Sequence, residues 1–185
     1  EDTLMTCKWG FFSDERDLYR RFKFEYKSYK NLSPGHRLLD VFGKNKEFFP
    51  LHVYLFPKKI IKKSGLWNEE LSNNDDAEFF MRVLFSVSHI CFAPNAEVFY
   101  RLHPGEKLSD LHSKKKFEDA IRSWELMEVY LKNKTKGKFG SQFIRSGKLM
   151  VHTRAIKKCP DIIEEHYKFF KSVIPFHERL FKKFF

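Results

Sequence analysis

The apolar residues change their spacing near residue 108, and this change constrains the fold of the 185-residue chain more than any other feature. Before it, short β-forming stretches such as residues 3–12 alternate with short helical ones. From about Lys114 onward, apolar residues recur only at helical spacing, in three successive stripes. We therefore predict a mixed α/β part, residues 1–108, followed by a helical C-terminal extension, residues 109–185.

The composition indicates a packed globular protein in a reducing compartment. Apolar residues make up 42% of the chain and aromatic residues 17%, which is enough for a sizeable core. Cys7, Cys91 and Cys159 are far apart and lack Cys-x-x-Cys spacing, so they predict neither a disulfide framework nor a zinc site. No apolar run approaches the roughly 18 residues of a membrane span. We expect a cytoplasmic location, with peripheral contact to the inner face of a membrane as an alternative.

An excess of basic residues predicts an acidic partner. The chain has 35 Lys and Arg against 24 Asp and Glu, a net charge of +11, which suits nucleic acid, an anionic membrane surface or a phosphorylated substrate. No Arg-rich recognition helix or zinc-finger spacing accompanies the lysines, so a basic nucleic-acid-binding module is the weaker alternative. The aromatic and basic tail, residues 161–185, suits either an interfacial helix on an anionic membrane or a helix packed on the core.

Two adjacent carboxylates, Asp75 and Asp76, stand at the start of an apolar helical pattern. The apolar positions that follow have i, i+4 spacing and predict a buried face: Phe79, Phe80, Val83, Leu84 and Val87. A helix anchored in this way is the rigid mount that a catalytic base needs. The alternative is that the acids cap the helix, because Asp accepts hydrogen bonds from its first N–H groups and suits its positive end. One Asp is enough to cap.

The order of signals from residue 51 to residue 103 is more specific than any single one. It runs through a predicted strand at 52–56, a basic helix at 57–64, the turn Gly65-Leu66-Trp67-Asn68-Glu69-Glu70-Leu71, the acid pair with Arg82 downstream, strands at 90–93 and 97–101 separated by Pro94-Asn95, and Tyr100-Arg101-Leu102-His103. This order resembles the C-terminal half of a family 2, GT-A-type glycosyltransferase. The resemblance implies the C-terminal part of a GT-A sheet-and-helix core, followed by the helical extension.

The resemblance implies that Asp76 is the general base of an inverting sugar transfer, with Asp75 where the family commonly has Glu. A sugar hydroxyl is a poor nucleophile at neutral pH, so a base that takes its proton in the transition state contributes about 10²–10⁴-fold. Two adjacent acids can also raise each other's pKa, which favours proton uptake. Arg82, six residues further on, is expected to make a structural pairing rather than to contact substrate.

On the acceptor side, the resemblance implies that the turn at residues 65–71 shapes the cleft. Trp67 would stack on a sugar ring, and Glu69, Glu70 and Asp75 would accept hydrogen bonds from the acceptor's hydroxyl groups. For Trp67 an equal alternative is a core aromatic residue that pins the turn.

On the donor side, the resemblance points to Arg101 and His103, which strand alternation places on one face. Arg offers charge-assisted hydrogen bonds to a nucleotide diphosphate, and a neutral imidazole can ligate a metal ion. The implied cofactor is a divalent cation, Mn²⁺ or Mg²⁺, and His103 is its candidate ligand in this chain.

The family's N-terminal half, with its Asp-x-Asp metal motif, has no counterpart in these residues. We therefore expect the chain to be the acceptor and base half of a longer enzyme whose donor and metal are bound mainly outside it. The implied partners are a nucleotide-sugar donor and a saccharide or lipid-linked acceptor, as in polysaccharide biosynthesis. A nucleic-acid partner is not expected.

Overall fold

The structure is a computed structural model that describes residues 2–14, 22–23, 25–105, 107 and 109–175. Its described elements are three strands, β1 (Thr3–Phe12), β2 (Phe22–Lys23) and β3 (His89–Arg101), a 3₁₀ turn at Leu51–Val53, and seven helices: α1 (Arg37–Asn45), α2 (Lys59–Ser64), α3 (Asp75–Ser86), α4 (Lys114–Thr135), α5 (Ser141–Lys158), α6 (Asp161–Glu165) and α7 (Tyr167–Phe170). The predicted mixed α/β class is therefore confirmed.

The sheet is built on β1, which pairs in parallel with β3 and over two residues in antiparallel with β2. The pairing of β1 with β3 shifts register, because Ala93 lies opposite Cys7 while Glu97 lies opposite Lys8. Residues 94–96 therefore leave the ladder as an irregularity inside one strand. The prediction of two strands separated by a turn was wrong, since Pro94, which has no N–H to donate, is accommodated in a bulge while the strand continues.

The segment predicted as a strand at 52–56 is also different in the structure. A 3₁₀ turn occupies Leu51–Val53, and only Leu55 pairs with β1, exchanging two backbone hydrogen bonds with Met5 at 2.7 and 3.0 Å. The next prediction holds, because α2 ends at Gly65 with φ +83° and two lysines in its last turn. A positive φ is tolerated by glycine, which has no Cβ.

One apolar core joins the sheet to the helical extension. It contains buried residues from β1, α3, α4, α5 and α7, including Leu4, Val83, Ile121, Val151 and Phe170. The approach of α5 is so close that a Cβ on Gly147 would lie 2.1 Å from the Trp124 ring, and one on Gly43 would lie 2.4 Å from the backbone of Phe143. The division of the chain at residue 108 stays a prediction.

The C-terminal segment packs on this core as far as the structure describes it. Its apolar residues Ile162, Phe169, Phe170 and Ile174 are buried, which fits the packed-helix alternative for residues 161–175. The rest of the predicted interfacial tail, residues 176–185, lies outside the described residues. Among the described helices, none is long and apolar enough to cross a bilayer.

Candidate functional site

The helix that carries the acid pair begins at Asn74 rather than at an aspartate. Asn74 is the N-cap residue, with a left-handed backbone (φ +58°) that Asn tolerates better than most residues. Its carbonyl accepts the first helical hydrogen bond, from the N–H of Glu78 at 3.3 Å. All five apolar positions of the predicted stripe are buried, four on α3 and Val87 at its C-cap, so the predicted buried face is confirmed.

Asp75 does not cap the helix. Its Oδ2 accepts a hydrogen bond from the indole Nε1–H of Trp67 at 2.8 Å, so its carboxylate points back to the turn that precedes α3. The alternative that the acids cap the helix therefore does not hold for Asp75, whereas Asp76 accepts the N–H of Ala77 in the first turn. The physical reason is that a side chain eight residues away supplies a better donor than the helix N–H groups, which a local pattern does not reveal.

Asp76 lies in a different environment. Burial raises the pKa of its carboxyl group, and the neighbouring charge of Asp75 raises it further, while hydrogen bonds from the N–H groups of Ala77 and of Asp76 itself oppose both. The bond from Ala77 is 2.8 Å long. No described side chain donates a hydrogen bond to Asp76. Asp76 thus combines partial burial, backbone support and a raised proton affinity.

Tyr54 interacts electrostatically with Asp76 and was missed by the sequence interpretation. Its ring stacks on Phe80, one helical turn beyond Asp76, with 4.3 Å between centroids. Burial raises the pKa of the Tyr54 hydroxyl, and the charge of Asp76 adds to the rise. The sequence feature that could have identified Tyr54 is the spacing of two residues between the aromatic side chains of Tyr54 and Phe56. In the structure, both rings contact Phe80.

The packing of Trp67 fits the alternative that it pins the turn, and its stacking on a sugar ring stays a prediction. Its ring packs against Phe79, with 4.6 Å between centroids, and its indole N–H is held by Asp75. Even so, 37% of the residue is exposed. Trp67 therefore pins the turn to α3 and remains partly exposed next to Asp75.

Arg82 fastens the turn at residues 65–71 to α3. Its guanidinium makes two bonds with the Glu78 carboxylate, at 2.7 and 2.9 Å, and donates to the carbonyls of Ser64 and, at 2.9 Å, Leu66. The side chains of Arg82 and Glu78 are only 14% and 9% exposed. The predicted structural pairing of Arg82 is confirmed, and its donors are directed at this chain rather than at a ligand.

The helical extension holds the other end of the same loop. The buried carboxylate of Asp119, on α4, accepts the N–H of Ser72 at 3.1 Å and the Ser72 hydroxyl, and pairs with Lys115 at 2.6 Å. Burial works against the charged form, but the bonds from Lys115 and Ser72 outweigh it and leave the pKa of Asp119 lowered. One turn later, Ser123 donates to the carbonyl of Asn74 at 2.9 Å.

The two glutamates predicted for acceptor binding lie on the exposed rim of the turn. Glu69 is exposed, and Glu70 forms an ion pair with Arg122 of α4. An exposed pair of this kind contributes little to stability, so Glu70 remains available to exchange Arg122 for a ligand. Their role in acceptor binding stays a prediction.

Arg101 is the last residue of β3, His103 follows it by two positions, and both are exposed. The His52 ring lies 5.8 Å from the ring of Tyr100, and Tyr54, two residues later, interacts electrostatically with Asp76. Burial lowers the pKa of His52, which favours its neutral form.

A metal site is not apparent in the described part of the chain. Among those residues there is no group of three or more His, Cys, Asp or Glu that could hold an ion. Mn²⁺ and Mg²⁺ require several oxygen ligands, so His103 does not make a site for either with the described residues. Ligation by His103 stays a prediction, and no chemical step below depends on it.

Comparison with known proteins adds no assignment: no family model, no curated protein and no solved structure matches the chain. The site therefore has to be interpreted from its own geometry.

Proposed function

We propose that this protein is an inverting glycosyltransferase that uses Asp76 as its general base. The observation that supports the proposal is that two adjacent acids, Asp75 and Asp76, have different hydrogen-bond donors. Asp75 is occupied by a side-chain donor, the Trp67 indole. Asp76 is partly buried, has a raised pKa and receives hydrogen bonds only from the backbone among described residues.

The proposed step transfers one proton and one sugar. The acceptor's hydroxyl oxygen forms a bond to the anomeric carbon of the donor, while its proton passes to the Asp76 carboxylate. The bond between the anomeric carbon and the diphosphate oxygen breaks, and the nucleoside diphosphate leaves with that electron pair. A raised pKa suits this role, because a carboxylate that binds protons more tightly is a stronger base.

Trp67 and its surroundings would hold the acceptor. Its exposed aromatic surface can pack against the apolar face of a sugar ring, and the bond to Asp75, the residue before Asp76, fixes the indole. Glu69 and Glu70, on the same turn, would accept hydrogen bonds from hydroxyl groups of a free or lipid-linked saccharide. A platform of this kind lowers the entropic cost of aligning the acceptor with the base.

The donor would meet the opposite side of the site. Arg101, exposed at the end of β3, would bind the diphosphate through charge-assisted hydrogen bonds, with His103 beside it. Where a divalent cation is bound, it would neutralise the leaving diphosphate. We propose a cytoplasmic reaction, because nucleotide sugars are the donors.

The test is transfer from a panel of nucleotide sugars to saccharide acceptors by the protein that carries these residues. We expect Asp76→Asn to lower kcat by about 10²–10⁴-fold, whereas Asp75→Asn retains most of it. Unchanged turnover in Asp76→Asn would overturn the assignment of the base.

Stability separates a catalytic role from a structural one in the same variant. Because burial raises the pKa of Asp76, the folded protein holds this proton more tightly than the unfolded chain does. Stability from this group is therefore gained as pH falls through the folded pKa, and the ionised form costs stability at neutral pH. We expect Asp76→Asn to unfold at the same or a higher urea concentration at pH 7 while it loses activity.

A further inference from the structure

The loop that leads into α3 is held from the helical extension rather than from the mixed α/β part. Ser72 donates both its N–H, at 3.1 Å, and its hydroxyl to Asp119, and its carbonyl accepts a bond from Lys116. All of these partners belong to α4 and lie more than 40 positions away in the sequence. The loop therefore takes its position from a distant helix.

Asn74 is held twice by a single serine. The Ser123 hydroxyl donates to the Asn74 carbonyl at 2.9 Å, and the Asn74 side-chain amide donates to the same hydroxyl oxygen at 3.0 Å. Asn74 is also the residue with the left-handed backbone at which α3 begins. A residue other than glycine keeps a left-handed backbone only where neighbouring groups stabilise it. At Asn74, the hydrogen bonds with Ser123 do so.

Both anchoring side chains are buried. Asp119 is 2% exposed and Ser123 is fully buried. A buried polar group without partners is costly, so these two residues favour the one loop geometry that satisfies them. Asp76 follows Asn74 by two residues, and the direction of its carboxylate depends on where α3 begins.

We infer that Asp119 and Ser123 are positioning residues for the base, so that the helical extension determines where Asp76 points. Neither residue touches a substrate in this scheme. The inference rests on the proposed function of Asp76, but it concerns a separate matter, namely which part of the chain orients that carboxylate. It assigns the α4 helix a role in the reaction.

The experiment compares Ser123→Ala and Asp119→Ala with the control variant Asp40→Ala. Asp40, on α1, also accepts a backbone N–H from a distant loop, that of Gly140 at 2.9 Å, but it belongs to a connection with α5. A displacement of about 1 Å in a catalytic group can cost about 10²-fold. We expect kcat to fall by about 10–100-fold in the two α4 variants, with the donor KM unchanged, and to remain near wild type in Asp40→Ala.

A second readout does not require activity. We expect a ¹³C NMR titration to show the pKa of the Asp76 carboxyl falling towards its ordinary value in Ser123→Ala, because a loosened first turn admits water. Among the described residues, the titratable groups that interact with Asp76 are Asp75 and Tyr54, and neither is changed. Asp40→Ala should leave the titration as in wild type.

The outcomes separate this inference from the proposed function. If Asp76→Asn is inactive while both α4 variants keep wild-type kcat and the wild-type Asp76 titration, the positioning role is overturned and the base assignment stands. An equal fall in Asp40→Ala would also overturn it, because the effect would then be general loosening. If Asp119→Ala does not fold, Ser123→Ala decides. If wild type transfers no sugar, the titration alone decides.

Discussion

The turn that leads to the acids and the segment after β3 are held very differently. Residues 65–76 are bound by Arg82, by the bond between Trp67 and Asp75, and by side chains of α4, among them Asp119 and Ser123. Residues 101–105 are all exposed. In the first region the geometry is fixed before any substrate arrives, which is the requirement for a base. In the second, the backbone is tied to β1 as far as Leu102, whose N–H donates to the Phe12 carbonyl at 2.7 Å, and the exposed side chains of Arg101 and His103 can meet a charged ligand.

The largest expected effect on stability is the loss of Arg82. Arg82→Ala removes the two described hydrogen bonds to the buried Glu78 carboxylate and those to the carbonyls of Ser64 and Leu66, so that the turn is held to α3 mainly through Trp67. Breaking such a pair costs about 3–5 kcal/mol, which urea unfolding would measure. The matched control is Arg122→Ala, whose exposed pair with Glu70 should be worth at most about 1 kcal/mol. Equal losses would show that the turn is not fastened by Arg82.

Gly65→Ala should have the next largest effect. Its φ of +83° strains any residue with a Cβ, and that Cβ would lie 3.1 Å from Arg82 Nη1. We expect a loss of about 1–3 kcal/mol in free energy of unfolding. Gly137→Ala is the control, because Gly137 also has a positive φ (+76°) but nothing within 4 Å of the added atom. A smaller loss at Gly65 than at Gly137 would contradict a tightly held turn.

Trp67→Phe is a milder change in the turn than Gly65→Ala. It keeps an aromatic ring for packing on Phe79 but removes the donor to Asp75. One such hydrogen bond contributes about 1 kcal/mol to stability, and we expect the acceptor KM to rise while the donor KM does not. Steady-state kinetics with each substrate varied would check this. A rise in the donor KM alone would contradict the proposed role of Trp67 in binding the acceptor.

Arg101→Gln should have the smallest effect on stability, because the side chain is exposed. We expect a change within about 0.5 kcal/mol. Under the proposed function, however, the Kd for nucleoside diphosphate rises about 10–100-fold, since charged hydrogen bonds are worth about 1.5–3 kcal/mol. Isothermal titration calorimetry would measure the Kd, with Arg145→Gln, at an exposed position of α5, as the control. Equal Kd values for both variants would remove Arg101 from the donor site.

Local patterns in the sequence were enough to predict much of the mount for the acids. The spacing of apolar residues located α3 and its buried face, and the basic residues before Gly65 located the end of α2. Both signals lie within one or two helical turns. The predicted pairing of Arg82 also held, because its main partner, Glu78, is on the same helix face.

The remaining features depend on contacts between distant residues. Asp119 and Ser123 are polar residues four apart in an otherwise apolar stripe of α4, which signals a buried polar contact but not its partner. The bulge in β3 depends on its register with β1. The Asp75 carboxylate accepts a hydrogen bond from the Trp67 indole rather than from the helix N–H groups. The local sequence does not distinguish these contacts from the other contacts that the same residues could make. They are decided by packing.

The pH dependence of kcat/KM tests the role of Asp76 most directly, because its acidic limb reports the base of the free enzyme. Burial and the charge of Asp75 raise the pKa of Asp76, so we predict that the acidic limb lies above the ordinary pKa of an aspartate in wild type. Asp75→Asn should move it to lower pH, and Asp76→Asn should abolish it along with most of the activity. The same acidic limb in Asp76→Asn as in wild type would contradict the assignment of Asp76 as the base.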